Sequence, residues 1–289
     1  MLSEIAHAKL NLSLLVTGRR GDGFHELVSL VALVDCADRV EFTPGGPWKL
    51  TSDDSALPTD GTNLIIKAAV AFQHRVPAVT TGAFELQKKI PSGAGMGGGS
   101  ADAAAAIRLL NRTLDKPLSV ETLREIAAEV GSDCPYFISG GVAVMRGRGE
   151  KIEAVSAEAA RALAGRRVVI VKPPLGVPTP EAYGLLAQSN SYIQNAKAEE
   201  RLQQWLRHPQ ADPSEMGNSL QDPVFAKYLA LPVALEEVTA ATGVVFRMTG
   251  SGSACFTLCS DDKDVSLITA ALRRCWGPGV WVSDSRILG

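Results

Sequence analysis

Residues 91–103 read PSGAGMGGGSADA, with five glycines between Gly93 and Gly99 and helix formers directly after. Glycine has no Cβ, so it reaches positive φ at little steric cost and lets the backbone approach a ligand closely. Successive amides in such a loop can point at one anion, and the following helix adds the partial positive charge of its N-terminus. The chemistry is that of a phosphate cradle. No Gly-Lys-Ser/Thr closes the run, so it is not the common P-loop. Gly93, Gly95 and Gly98 spell the dinucleotide pattern, but no acidic residue obviously follows on a next strand. A flexible glycine loop without a ligand is the plain alternative. Glycine this dense before an alanine-rich helix favours the anion site.

Other side chains and one further turn carry chemistry. Lys9 and Asn11 share one face of an alternating stretch; an ammonium there can meet phosphate and an amide can orient a hydroxyl, or both can simply face solvent. Asp133, in Gly131-Ser132-Asp133-Cys134-Pro135, is either a helix N-cap or a general base balanced between burial and nearby positive charge. Ser100 reads as a helix cap, a phosphate contact or a Mg²⁺ ligand, the cap being the default. Thr249-Gly250-Ser251-Gly252-Ser253 is a second glycine-rich turn, longer in small residues than a tight hairpin needs.

The elements that must hold these groups follow from periodicity. Residues 4–16 alternate as a strand, with Leu10, Leu12 and Leu14 opposite Lys9, Asn11 and Ser13. A glycine-rich turn leads to Phe24 and His25, where the aromatic packing back on the core is the plain reading. Residues 39–44 alternate, and 48–52 look like their partner across Pro44-Gly45-Gly46-Pro47. A helix is predicted over 63–76, capped by Thr62 or Asn63, then a strand over 82–90 that delivers the chain to the glycine loop. Helices follow the loop and span 119–130, and a hairpin closes this half before a short helix and linker at 156–166. Beyond it come strand 167–172, helices from 181 to about 207, helix 232–242, strands 244–248 and 254–259, helix 263–275 and strand 279–283. With the middle helices taken as an elaborated crossover, the order is β-α-β-β-α-β, the ferredoxin-like pattern.

The 289 residues suggest two domains, and 46% hydrophobic content is ample for a core. A net charge of −2 argues against a nucleic-acid partner. Five cysteines, none in a CxxC, fit a reducing compartment. No apolar run is long enough to span a membrane and the N-terminus has no signal h-region, so a cytoplasmic protein is expected.

In this order, AHAKLNLSLLVTGRRGDGFHEL, PSGAGMGGGSADAA, GSDCPYF and TGSGSACF resemble the motifs of the GHMP kinase superfamily over nearly the whole chain. The AKLNL…GRRGDGFH block is similar to the members that act on a cytidylyl methylerythritol in non-mevalonate isoprenoid synthesis; sugar, homoserine and mevalonate kinases lack it. The resemblance implies an α/β (α+β) protein: an N-terminal ATP-binding α/β domain over 1–160 with a left-open glycine-rich phosphate loop, and a C-terminal ferredoxin-like domain over 161–289. It implies transfer from ATP, with Mg²⁺, to the substrate's tertiary 2-hydroxyl, by a monomer or weak homodimer.

Family roles fall on matching positions. Asp133 would accept the hydroxyl proton, with Lys9 beside it, and Asn11 would orient the substrate. Pro91, Ser92, Gly93, Ala94, Gly95, Met96, Gly97, Gly98, Gly99, Ser100 and Ala101 would wrap the phosphates, with Asn63 and Lys88 on the adenine side. His25 would bond the cytosine edge while Phe24 and Tyr183 stack on its faces. Phe24 stands where Tyr is usual, and Tyr183 where Phe is frequent; the stacking faces are kept and the hydroxyl at 24 is lost. A kinase of another small alcohol, or a nucleotide-binding regulator without catalysis, are the alternatives.

Overall fold

A computed structural model describes residues 1–260 and 265–289. In chain order the elements are β1 (Leu2–Arg19), β2 (His25–Pro44), β3 (Lys49–Ser52), α1 (Leu64–Arg75), β4 (Gly82–Gln87), α2 (Gly98–Asn111), α3 (Val120–Val130), α4 (Cys134–Ser139), β5 (Ala143–Gly147), β6 (Lys151–Ala154) and α5 (Ala157–Leu163). Then come β7 (Arg167–Lys172), α6 (Thr179–Ser189), α7 (Asn195–Arg207), a 3-10 turn (Pro213–Met216), α8 (Gln221–Lys227), α9 (Ala230–Thr242), β8 (Arg247–Met248), β9 (Cys255–Cys259), α10 (Val265–Trp276) and β10 (Trp281–Arg286). Residues 263 and 264, the expected start of the last helix, lie outside the described residues.

Packing divides the chain into two compact units: Met1–Ala8, Cys36–Ser92 and Gly97–Gly140 in one, Lys9–Asp35, Gly93–Met96 and Gly141–Gly289 in the other. The division does not fall at the expected 160/161. Strands β1 and β2 run 18 and 20 residues, long enough for each to enter both units, and the glycine run crosses over and back.

In the first unit β2 pairs antiparallel with β4, from Arg39↔Gln87 to Pro44↔Gly82, and β3 pairs with β4 in parallel. The expected hairpin between 39–44 and 48–52 therefore does not form. The Pro44–Pro47 turn instead bonds the start of β4: Gly45 N donates to Thr81 O at 2.8 Å and Thr81 Oγ1 to Gly46 O at 2.6 Å. Phe42, Trp48 and Phe84 then meet, with the Phe42 and Phe84 centroids 4.7 Å apart, so aromatic packing rewards the inserted strand. Helix α1 is capped by Asn63, whose Oδ1 accepts from Ile65 N. Helix α2 is buried over Ala101–Leu110 apart from Arg108, and α1, α3 and α4 all pack on it. Its run of alanines lets those neighbours come close.

The second unit holds the β5–β6 hairpin paired to the first half of β2, from Leu27↔Gly147 to Val31↔Ala143. It also holds an antiparallel sheet in the order β10-β7-β9-β8. That order, with helices between β7 and β8 and between β9 and β10, is the expected ferredoxin-like arrangement. Strand β8 covers Arg247–Met248 and not the expected 244–248, because only these two residues pair with β9.

Candidate active site

In the first unit β4 leads through 88–92 to the glycine run, and α2 starts at Gly98. The N-cap is Gly97, at φ +69°, and no side chain caps the helix. The default reading of Ser100 as the cap is thus corrected: it sits a turn inside, and its hydroxyl bonds the Cys134 thiol, whose pKa burial pushes up to about 11. An α-helix starts with backbone N–H groups that lack intrahelical acceptors; with no side chain supplied, they suit an anion. Asp133 occupies the N-cap position of α4 yet makes no capping hydrogen bond, so the structural reading of that carboxylate is not realised.

Beneath this helix start lies a buried ion cluster that sequence reasoning missed. Lys88 Nζ donates to Asp38 Oδ2 and, at 3.0 Å, to Asp102 Oδ2. Asp38 Oδ1 accepts from Lys89 N at 2.6 Å and Ile90 N at 2.8 Å, fixing the backbone that enters the loop. Burial and the second carboxylate Asp38 push the Asp102 pKa up to about 7 against the pull of Lys88. Lys88, opposed by burial, is still held above its ordinary value by the two carboxylates. A Cβ on Gly98 would sit 3.3 Å from Lys88 Nζ, so the helix start and the cluster touch. The available signal was Asp102 itself, one acid in an alanine run.

In the second unit the tip of the glycine run lies against the second glycine turn. Lys9 N donates to Met96 O at 3.0 Å, and Ala254 N to Ala94 O at 3.3 Å. A Cβ on Gly95, at φ +75°, would fall 2.7 Å from Thr249 O; one on Gly250 would fall 2.6 Å from Gly95 O. Two backbones approach here as only glycine permits. Gly95→Ala is therefore expected to lose about 2 kcal/mol or more of stability, while Gly93→Ala, with equally positive φ but open space, loses only the backbone part, about 1–2 kcal/mol. Urea denaturation of both variants checks the difference.

The polar face of β1 does not face solvent. Lys9, Asn11 and Ser13 are 6%, 6% and 3% exposed, and so are buried like the leucines opposite. Lys9 Nζ donates to Asn11 Oδ1, and Asn11 Nδ2 to Ser29 Oγ at 2.8 Å. Asn11 N donates to Thr249 Oγ1 at 2.8 Å, which ties the face to the second glycine turn. An alternating strand reads as half-solvated, but here the second face is covered by a polar network.

The aromatic positions separate into two contacts. His25 and Tyr183 meet ring to ring at 4.8 Å, and Tyr192 Oη lies 3.3 Å from His25 Nε2. Burial, with Arg19 nearby, lowers the His25 pKa. Phe24 is 47% exposed with the Arg148 guanidinium 4.9 Å over its ring. Asn63, besides capping α1, donates to Pro58 O at 2.8 Å.

The chain matches the GHMP kinases N terminal domain over residues 63–141 and the GHMP kinases C terminal domain over 196–278. It is 40% identical over 288 residues to the 4-diphosphocytidyl-2-C-methyl-D-erythritol kinase of Prochlorococcus marinus, covering 95% of this chain and 88% of that one. A crystal structure of 4-(cytidine 5'-diphospho)-2C-methyl-D-erythritol kinase aligns with TM-score 0.79 and 30% identity over 99% of both chains. A homoserine kinase from Cytophaga hutchinsonii, at 18% identity and TM-score 0.75 over 99% of this chain and 94% of its own, shares the fold. These likenesses agree with the uncapped helix behind a glycine run: the chain belongs to the 4-diphosphocytidyl-2-C-methyl-D-erythritol kinase family of the GHMP kinases.

Proposed function

We propose that this chain transfers the γ-phosphoryl group of ATP to the 2-hydroxyl of 4-diphosphocytidyl-2-C-methyl-D-erythritol, the substrate in its relatives' names. The observation that carries the chemistry is the loop of positive-φ glycines at 93, 95 and 97 feeding a helix start with no side-chain cap. Phosphoryl transfer asks for positioning and charge stabilisation rather than covalent work by the protein. In this reading Pro91–Ala101 wraps the triphosphate, and Asn63 and Lys88 serve the adenine side. Asp133 takes the proton of a tertiary alcohol, a poor nucleophile without such help. Lys9 stabilises charge on the moving phosphoryl group and Asn11 orients the hydroxyl.

Among the described residues no group of three or more His, Cys, Asp or Glu is placed to hold a metal ion. Ser100 is the side chain that would reach Mg²⁺, with phosphate oxygens and water supplying the other ligands. Mg²⁺ held with the nucleotide would supply neutralisation of the triphosphate charge. The chain is read as a cytoplasmic monomer or weak homodimer without a nucleic-acid partner. No helix among the described residues is long and apolar enough to cross a membrane.

Cytosine selection rests on Phe24, His25 and Tyr183. Phe24→Ala is expected to raise KM for the cytidylyl substrate about tenfold with kcat little changed, the signature of lost uniform binding. An unaltered KM removes the stacking role. The whole reading is tested by ADP release from ATP across a set of alcohols. Release should depend on the cytidylyl substrate; equal release with homoserine or mevalonate, or none with any alcohol, contradicts it.

A further inference from the structure

The buried network under Lys9 has a direction that its chemistry dictates. Ser29 stands on β2 in the run Leu27–Ala32, where every other residue is apolar and buried; Ser29 itself is 0% exposed. A hydroxyl in such a place is costly unless bonded. Its single proton goes to Ser13 O at 2.5 Å, a carbonyl that can only accept. Ser29 Oγ must then accept from Asn11, so the Asn11 amide presents its NH₂ to Ser29 at 2.8 Å and its oxygen to the Lys9 ammonium. Lys9, a donor only, requires that same orientation. The amide flip is thus set from both ends. Thr249 Oγ1 holds the backbone of Asn11 from the other side, accepting from its N at 2.8 Å and donating to its O at 3.4 Å.

We propose that Ser29 is a positioning residue for phosphoryl transfer: through the Ser13 carbonyl it fixes the flip of Asn11, and through Asn11 the aim of the Lys9 ammonium. The proposal rests on the reading of Lys9 and Asn11 as part of the transfer machinery. Ser29 touches no reacting atom. Without its hydroxyl the buried Asn11 NH₂ has no acceptor on the Ser29 side, so the amide is held at the Lys9 end alone and swings toward another acceptor. The ammonium that donates to its oxygen moves with it. A displacement of that size at a reacting group is enough to lower turnover strongly.

The test is a double-mutant cycle on the full chain. Ser29→Ala should lower kcat by about tenfold or more with KM for ATP and the thermal midpoint near native. In an Asn11→Ala background the same substitution should change kcat by no more than about twofold, because the residue it acts through is gone. Ser29→Thr, which keeps the hydroxyl, should recover most of the loss. Should Ser29→Ala fail to fold, Ser29→Cys, closer in volume and a poorer acceptor, carries the same cycle with the same outcomes. An equal fall in both backgrounds, or native turnover in Ser29→Ala, overturns the proposal. If Lys9→Ala and Asn11→Ala themselves keep native turnover, the reading of the machinery falls and this proposal with it. If they lose turnover while Ser29→Ala does not, only the role of Ser29 falls.

Discussion

Asp133→Asn is expected to lower kcat by about 10²-fold or more while ATP binding survives. The substitution keeps shape and removes the proton acceptor. The carboxylate sits at the N-cap position of α4 but makes no capping bond, so exchanging it for an amide removes no helix cap. A thermal midpoint measured beside the rate separates a catalytic loss from a folding loss. Single-turnover measurement with saturating ATP gives the rate, and titration with a fluorescent nucleotide gives the affinity. Native turnover in this variant removes Asp133 from the chemistry.

Lys88→Met should cost about 3–5 kcal/mol of stability, because removing one partner strands buried charge. Lys88, Asp38 and Asp102 have side chains 9%, 0% and 4% exposed, so water cannot take the place of the ammonium. The cost should grow with pH. The Asp102 pKa is raised by burial, to about 7 against an ordinary 3.8, so its folded state prefers the proton. Its contribution is fully favourable below about 3.8 and is lost as pH rises toward 7. Without Lys88 the carboxylate becomes harder still to ionise, so Lys88→Met should lose more at pH 8 than at pH 5. Urea unfolding at both values measures it. A lysine serving adenine alone would instead weaken ATP binding and leave the unfolding curve unmoved.

The cluster also marks what could be read from residue order and what could not. The glycine run between a strand and a helix, and the second glycine turn before β9, were legible because glycine density and hydrophobic period are local signals. So was the ferredoxin-like order, since each element announces itself over a few residues. Partners far apart along the chain were not. Asn11 meets Thr249 across 238 positions and Lys88 meets Asp38 across 50. Alternation in β1 marked Lys9, Asn11 and Ser13 as one face but cannot distinguish water from a buried polar network as its cover. The pairing of β3 is hidden for a related reason: a Pro-Gly-Gly-Pro turn suggests a hairpin, whereas the later strand β4 brings Phe84 against Phe42 and takes the place between. Asp102 hid inside a helix whose alanines are its only local message.

The reaction itself is best tested by ³¹P NMR of the full chain incubated with ATP, Mg²⁺ and 4-diphosphocytidyl-2-C-methyl-D-erythritol. The expected result is ADP and one new phosphomonoester signal rising in equal amounts, on the carbon that bears the 2-hydroxyl, with the diphosphate signals of the substrate retained. ADP rising without that signal, or the same signal appearing on an alcohol that lacks cytidine, would contradict it.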